Sequence, residues 1–310
     1  MPFRIIKLYI IVAGLACSTL HARSVDSIGS VDSIHIGKRD STAKVWNPAV
    51  VGVLSAVIPG AGQVYTGHYV KAVSFLALEG ISGGMAIFWH GESEKRSKAA
   101  DDAMKLLPFA TNAGDSLTGI EVSKLMDFDA LSARYTMYDA LSWMIGGYLY
   151  NILDGLGSSR FFITDDKKSV ATAAWLSAIP ALGLGQLYNG SVAKAGMVMM
   201  TQTSLGLIAI NEHRLMRESQ QHLLAAESIK DTAGANLISD RTIQDWKFRQ
   251  DAAFRNRNSF LWYSLFFYLY GILDAVVDAH LHDYERKIRA WPDLMPQGGG
   301  AVRLNVDYRF

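Results

Sequence analysis

One cysteine, Cys17, occurs in 310 residues, and it stands just after the N-terminal apolar run. A chain cleaved after that residue keeps no thiol, which excludes disulfides and thiolate catalysis from the mature protein. Charge of one sign is also missing. The 30 Lys and Arg stand against 29 Asp and Glu, so no global basic field argues for nucleic acid. The glycine-rich stretches lack the G-x-x-x-x-G-K-[ST] order and follow no strand, so nucleotide binding fits poorly. No serine, histidine and carboxylate set is spaced to suggest hydrolysis. Strand-like alternation is confined to the last residues, which argues against an outer-membrane barrel. Proline is scarce, with 7 residues, and it punctuates: Pro59 and Pro180 each stop an apolar segment.

Half of the residues are hydrophobic, and they come in blocks parted by charged segments. Arg4 and Lys7 precede an apolar run at 8–16 and the small-residue exit Leu20-His21-Ala22. Residues 1–22 therefore read as a secretory signal cleaved before Arg23, and residues 23–46 as a flexible leader.

One stretch is used twice. Its first copy is Pro59-Gly60-Ala61-Gly62-Gln63-Val64-Tyr65-Thr66-Gly67, followed by Lys71. The second is Gly183-Leu184-Gly185-Gln186-Leu187-Tyr188-Asn189-Gly190, followed by Lys194 and preceded by Pro180. Gln63 and Gln186, Tyr65 and Tyr188, Gly67 and Gly190, and Lys71 and Lys194 all lie 123 residues apart. Farther on, Tyr148-Leu149-Tyr150-Asn151-Ile152-Leu153-Asp154 matches Tyr268-Leu269-Tyr270-Gly271-Ile272-Leu273-Asp274 at a spacing of 120.

These matches predict an all-α integral membrane protein built as a tandem repeat of helical hairpins with short proline-broken helices. Repeat 1 spans 47–160 with a charged helical linker at 91–134. Repeat 2 spans 169–290 with a charged helical linker at 211–257. Each opens on an eleven-residue helix, 48–58 or 169–179, too short to cross a hydrocarbon core of about 30 Å. Apolar segments follow at 69–90 (with Glu79 inside), 140–153, 192–210 (with Gln202 inside) and 258–273. Pro108, Gly114 and Gly234 should break the charged linkers, and Gly155 and Gly157 should begin the joint between repeats. After Gly298-Gly299-Gly300, residues 298–310 alternate as a short closing strand.

The two linkers carry six and eight basic residues, Lys98 and Lys247 among them, and cytoplasmic loops collect such residues. Equal richness favours one side for both. That gives four spans, two half-inserted hairpins, a periplasmic N-terminus and cytoplasmic linkers. The rival is six spans with the repeats inverted.

Chemistry at the repeated residues follows from their types. Glycines allow sharp turns and close backbone approach. The glutamines can satisfy backbone groups freed by a broken helix. Lys71 and Lys194 must pair or reach for water, and Asp154 and Asp274 are their natural partners. The plain reading is that this set holds a hairpin together rather than binding a substrate. Asp274, Asp278 and His282 share one helical face and form a candidate metal array, although one helix seldom supplies a full ligand set. Repeat 1 has Asp154, Ser158 and Phe162 there, so such a site would not be duplicated. No cofactor is implied.

With both motifs on the page, the chain resembles a bacterial envelope family known only as domain of unknown function 5683. That family pairs a PGxGQxYxxxxxK opening, here Pro59 to Lys71, with a closing LDAxVDAHLxD helix, here Leu273 to Asp283. Its basic approach to the last helix looks like Arg255-Asn256-Arg257-Asn258. The opening is distantly similar to two-transmembrane-helix domains. Two openings in one chain depart from the pattern, and the family carries no activity to transfer.

The function expected is a non-enzymatic structural or protein-interaction module in the bacterial inner membrane, multi-pass, reached by Sec-type export. Outer-membrane association fits less well. Its partners would be the lipid bilayer and an envelope protein or a second copy. A small transporter or channel component is the first alternative, and a metal-dependent enzyme using Asp274, Asp278 and His282 the second.

Overall fold

A computed structural model describes residues 46–106, 113–159, 168–229, 237–282, 288–293 and 303–308. The signal at 1–22, nearly all of the leader, Pro108, Gly234 and the triple glycine lie outside the described residues.

Each half opens with two short helices. Helix α1 (Pro48–Val57) starts where the Asn47 side chain accepts from Ala49 N at 3.0 Å, with Pro48 at its first position. Ile58 is extended, Gly60 turns left-handed, and α2 (Ala61–Tyr65) follows. In the second half, Ser169 caps α5 (Val170–Ser177) by accepting from Thr172 N, and Gly183 opens α6 (Leu184–Tyr188).

Four long helices make up most of the remainder: α3 (Tyr69–Leu106), α4 (Ala113–Ser158), α7 (Val192–Ser228) and α8 (Asp240–His282). The charged linkers are therefore not separate elements. They are continuations of the apolar helices, because no proline intervenes between 90 and 106 or between 210 and 228. Gly114 falls in the first turn of α4, where it interrupts nothing. Gly155 and Gly157, expected in a joint, are the last turns of α4. Packing requires them there. A Cβ on Gly155 would lie 2.5 Å from Ser55 Oγ, and one on Gly157 would lie 3.0 Å from Val192 Cβ. Beyond α8, β1 (Ile288–Asp293) and β2 (Arg303–Tyr308) pair antiparallel, with Ile288 opposite Tyr308.

The chain groups into two compact units that run across its halves. The first holds residues up to Leu76, then 148–199, then 268 onward, and so contains both glycine stretches. Many of its buried residues are small or polar, including Val51, Ala72, Ala173, Ala195, Ala275, Gln63 and Gln186. The second holds 77–147 and 200–267. There Trp246 is fully buried among Phe128, Leu215, Leu223, Ile238 and Ile243, with His222 stacked on its indole at 4.6 Å.

Two helices, Tyr69–Lys105 and Asp240–Leu281, are long and apolar enough to cross a membrane. Much of their apolar surface points outward. Val73, Ile87 and Phe88 on α3, and Trp262, Phe266 and Leu273 on α8, are all exposed.

Candidate functional site: two glycine corners

The turn between α1 and α2 needs glycine for two separate reasons. Gly60 has φ +84°, and a Cβ there would sit 2.6 Å from the carbonyl oxygen of Ala72. A side chain would therefore be strained in backbone conformation and would push α3 away. Gly62 is equally confined, since its Cβ would collide with Ser55 Oγ and lie 2.7 Å from Val51 O.

Breaking the helix frees backbone groups that must find partners away from water. Residues of α4 provide them. Gly60 N donates to Asn151 Oδ1 at 2.9 Å, and Asn151 Nδ2 donates to Ser55 O at 2.8 Å. Gln63, fully buried, donates through Nε2 to Asn151 O at 2.8 Å and to Asp154 Oδ2 at 3.3 Å. The other Asp154 oxygen accepts from Lys71 Nζ at 2.8 Å. Tyr148 OH donates to Ala56 O near the end of α1.

The second corner makes matching contacts. Gly183 has φ +57°, and its Cβ would lie 2.6 Å from Ala195 O. Gln186 is buried, and its Nε2 donates to Gly271 O at 2.6 Å. Tyr268 OH donates to Ala178 O at 2.9 Å. Lys194 reaches Asp274 at 2.9 Å and also Asp278 at 2.7 Å, while Ser191 Oγ donates to Asp278 at 3.1 Å. Gly67 and Gly190, both at positive φ, end α2 and α6.

The sequence expects each lysine to meet Asp154 or Asp274 without choosing between them; Lys71 meets Asp154 and Lys194 meets Asp274. Two tyrosines of the repeated stretch stay at the rim instead of joining the network. Tyr65 packs edge-on against Trp46 at 4.9 Å, and Tyr188 OH accepts from Ser169 N, with the Lys168 ammonium over its ring. Pro59 and Pro180 lead into the left-handed residues Gly60 and Ala181. Asp274 and Asp278, candidates for a metal, both face the Lys194 ammonium. The His282 side chain lies outside the description, and no group of three metal-ligating side chains occurs among the described residues.

Sequence reading missed Ser55, Asn151, Asn189 and the tyrosine latches. Asn189 Nδ2 donates to Ala275 O at 2.7 Å. The signal for the first corner was available in principle: Tyr148, Asn151 and Asp154 recur every third residue, which places them along one side of a helix. A second polar set was also missed, on α4, α7 and α8. Asn211 donates to Asp139 at 2.8 Å, and Asn256 donates to buried Glu212 at 3.2 Å. Burial pushes Glu212 up to about 8, with the neighbouring Asp139 carboxyl adding to the rise and the Asn256 bond opposing it.

Within the corners, Lys71 meets Asp154, and Lys194 meets Asp274 and Asp278. Such a set can fix a backbone shape.

Residues 166–296, less than half of the chain, match the model of a family described as a family of unknown function (DUF5683). No curated protein matches, and no solved structure matches. The matched stretch takes in the second corner, α7 and α8, and the first corner lies outside it.

Proposed function

We propose that this protein is a multi-pass protein of the bacterial inner membrane, built from two copies of one lipid-embedded hairpin, and that it serves as a non-enzymatic structural and interaction module. The observation that carries the reading is the outward apolar face of α3 and α8. In water, a chain with Ile87 76% exposed and Phe266 63% exposed would have large greasy faces with nothing to cover them. In lipid the same faces are solvated. The corner networks fit that setting, because broken helices are tolerated in a bilayer only where protein groups satisfy their backbone.

The grouping of the chain supports the reading of four spans. Both corners belong to one compact unit and both charged linkers to the other, which suits linkers that share a side. The linkers extend the long helices well past the roughly 20 residues a span requires. Their core around Trp246 would stand in the cytoplasm and present a surface to partner proteins.

Membrane fractionation with alkaline carbonate extraction tests the first claim, and release of the protein into the supernatant would end it. For topology, Lys98→Cys and Lys247→Cys variants lacking Cys17 should react with an impermeant maleimide from the same side. Partner capture in mild detergent, with identification of what co-purifies, then addresses the interaction role.

A further inference from the structure

Glu79 is the one acidic residue in the apolar stretch 69–90, and neither lysine pair uses it. It is half-buried on α3. Its Oε1 is shut off from solvent and has no hydrogen-bond partner. Gly147 of α4 is what lets the carboxyl tuck in, since a Cβ there would lie 2.9 Å from Oε1 and 2.8 Å from Leu78 Cδ2. Among the described residues no lysine or arginine pairs with it. A carboxylate withdrawn from water without cation or donor is far more costly than the neutral acid.

The second half supplies an independent observation. At the spacing that relates Gln63 to Gln186 and Lys71 to Lys194, the counterpart of Glu79 is Gln202, itself buried. An amide has the shape and neutrality of a protonated carboxyl, and it lacks the charge of a carboxylate. One position therefore holds a permanently neutral side chain in one copy and a titratable one in the other.

We propose that Glu79 is a proton-binding site inside the first apolar span, held as the neutral acid and open to hydrophobic carbodiimides. The inference rests on reading 69–90 as a span. The reaction balances as an addition. The carboxyl proton passes to a carbodiimide nitrogen, and the carboxyl oxygen bonds to the central carbon. The acyl group then shifts from oxygen to nitrogen, leaving a stable N-acylurea. Nothing leaves, so the peptide gains the mass of one whole reagent. Only the protonated acid begins this sequence.

The full chain in its membranes is treated with dicyclohexylcarbodiimide and mapped by peptide mass spectrometry. An adduct on Glu79 is expected, falling about tenfold per pH unit once the group ionises. It is lost in Glu79→Gln, and a second adduct appears on position 202 in Gln202→Glu. Absence of the Glu79 adduct at every pH overturns the proposal, as does equal labelling by a charged, water-soluble carbodiimide. Carbonate extraction of the same membranes separates the two failures. Protein retained in the pellet but unlabelled defeats the proton site alone, whereas protein released from the pellet defeats the membrane reading first.

Discussion

The two glycine corners share a backbone shape but differ in how their charge is closed. In the first, Lys71 is 24% exposed and meets one carboxylate, Asp154, which is 1% exposed. In the second, Lys194 is 43% exposed and holds two carboxylates, Asp274 and Asp278. The first corner also uses Asn151 to tie Gly60 to Ser55 O, whereas Gly271 stands at the matching position and Asn189 ties to Ala275 O instead. The lesson is that the left-handed glycine, the glutamine and the tyrosine latch make the corner. The charges around it can be rearranged.

The largest expected effect tests that difference directly. Asp154→Ala leaves Lys71 without its acid and buried Gln63 Nε2 without one acceptor, and should cost about 3 kcal/mol. Asp274→Ala leaves Lys194 with Asp278 and water, and should cost about 1 kcal/mol. Melting temperatures in detergent compare the two. Equal losses would mean that the second aspartate contributes nothing.

Next come the glycines. Gly60→Ala and Gly183→Ala each combine a left-handed backbone with a clash against a carbonyl, and each should cost about 2–3 kcal/mol. Similar losses are expected, read as the fraction of folded protein after a heat step. A harmless change at either position would break the equivalence of the corners.

Smaller effects belong to the latches. Tyr148→Phe and Tyr268→Phe each remove one hydroxyl bond to a carbonyl and should lose about 1 kcal/mol. Amide hydrogen exchange should then rise at the ends of α1 and α5 respectively, and at neither end if the bonds are unimportant.

The smallest change is a gain. The second corner has two extra residues between proline and glycine, and Ala181 among them has φ +65°. Ala181→Gly should stabilise by about 0.5–1 kcal/mol, because glycine removes the Cβ penalty but costs unfolded-chain entropy. A lower melting temperature would show that the methyl group is needed there.

Much of the corner was legible before any coordinates. The 123-residue spacing picked out Gln63, Gln186, Lys71 and Lys194, and the 120-residue spacing picked out Asp154 and Asp274. The division into short opening helices and long apolar ones followed from proline, glycine and hydropathy. Helix continuity was misread at Gly114, Gly155 and Gly157, because a glycine marks either a break or a close contact and the residue alone does not say which. Asp139 and Glu212 stand 73 residues apart, and nothing local in the sequence places the two carboxyls beside each other.

Periodicity and backbone restriction are local properties, so the sequence alone determined where the short opening helices stop, which turns need glycine, and which residue types recur. Distance across the fold is not local. Only the tertiary structure decided that Asn151 caps Gly60, that Asp278 joins Asp274 on Lys194, and that Gly147 makes room for Glu79. Each of these depends on which face one helix turns toward another, and that is settled by packing of the whole chain at once.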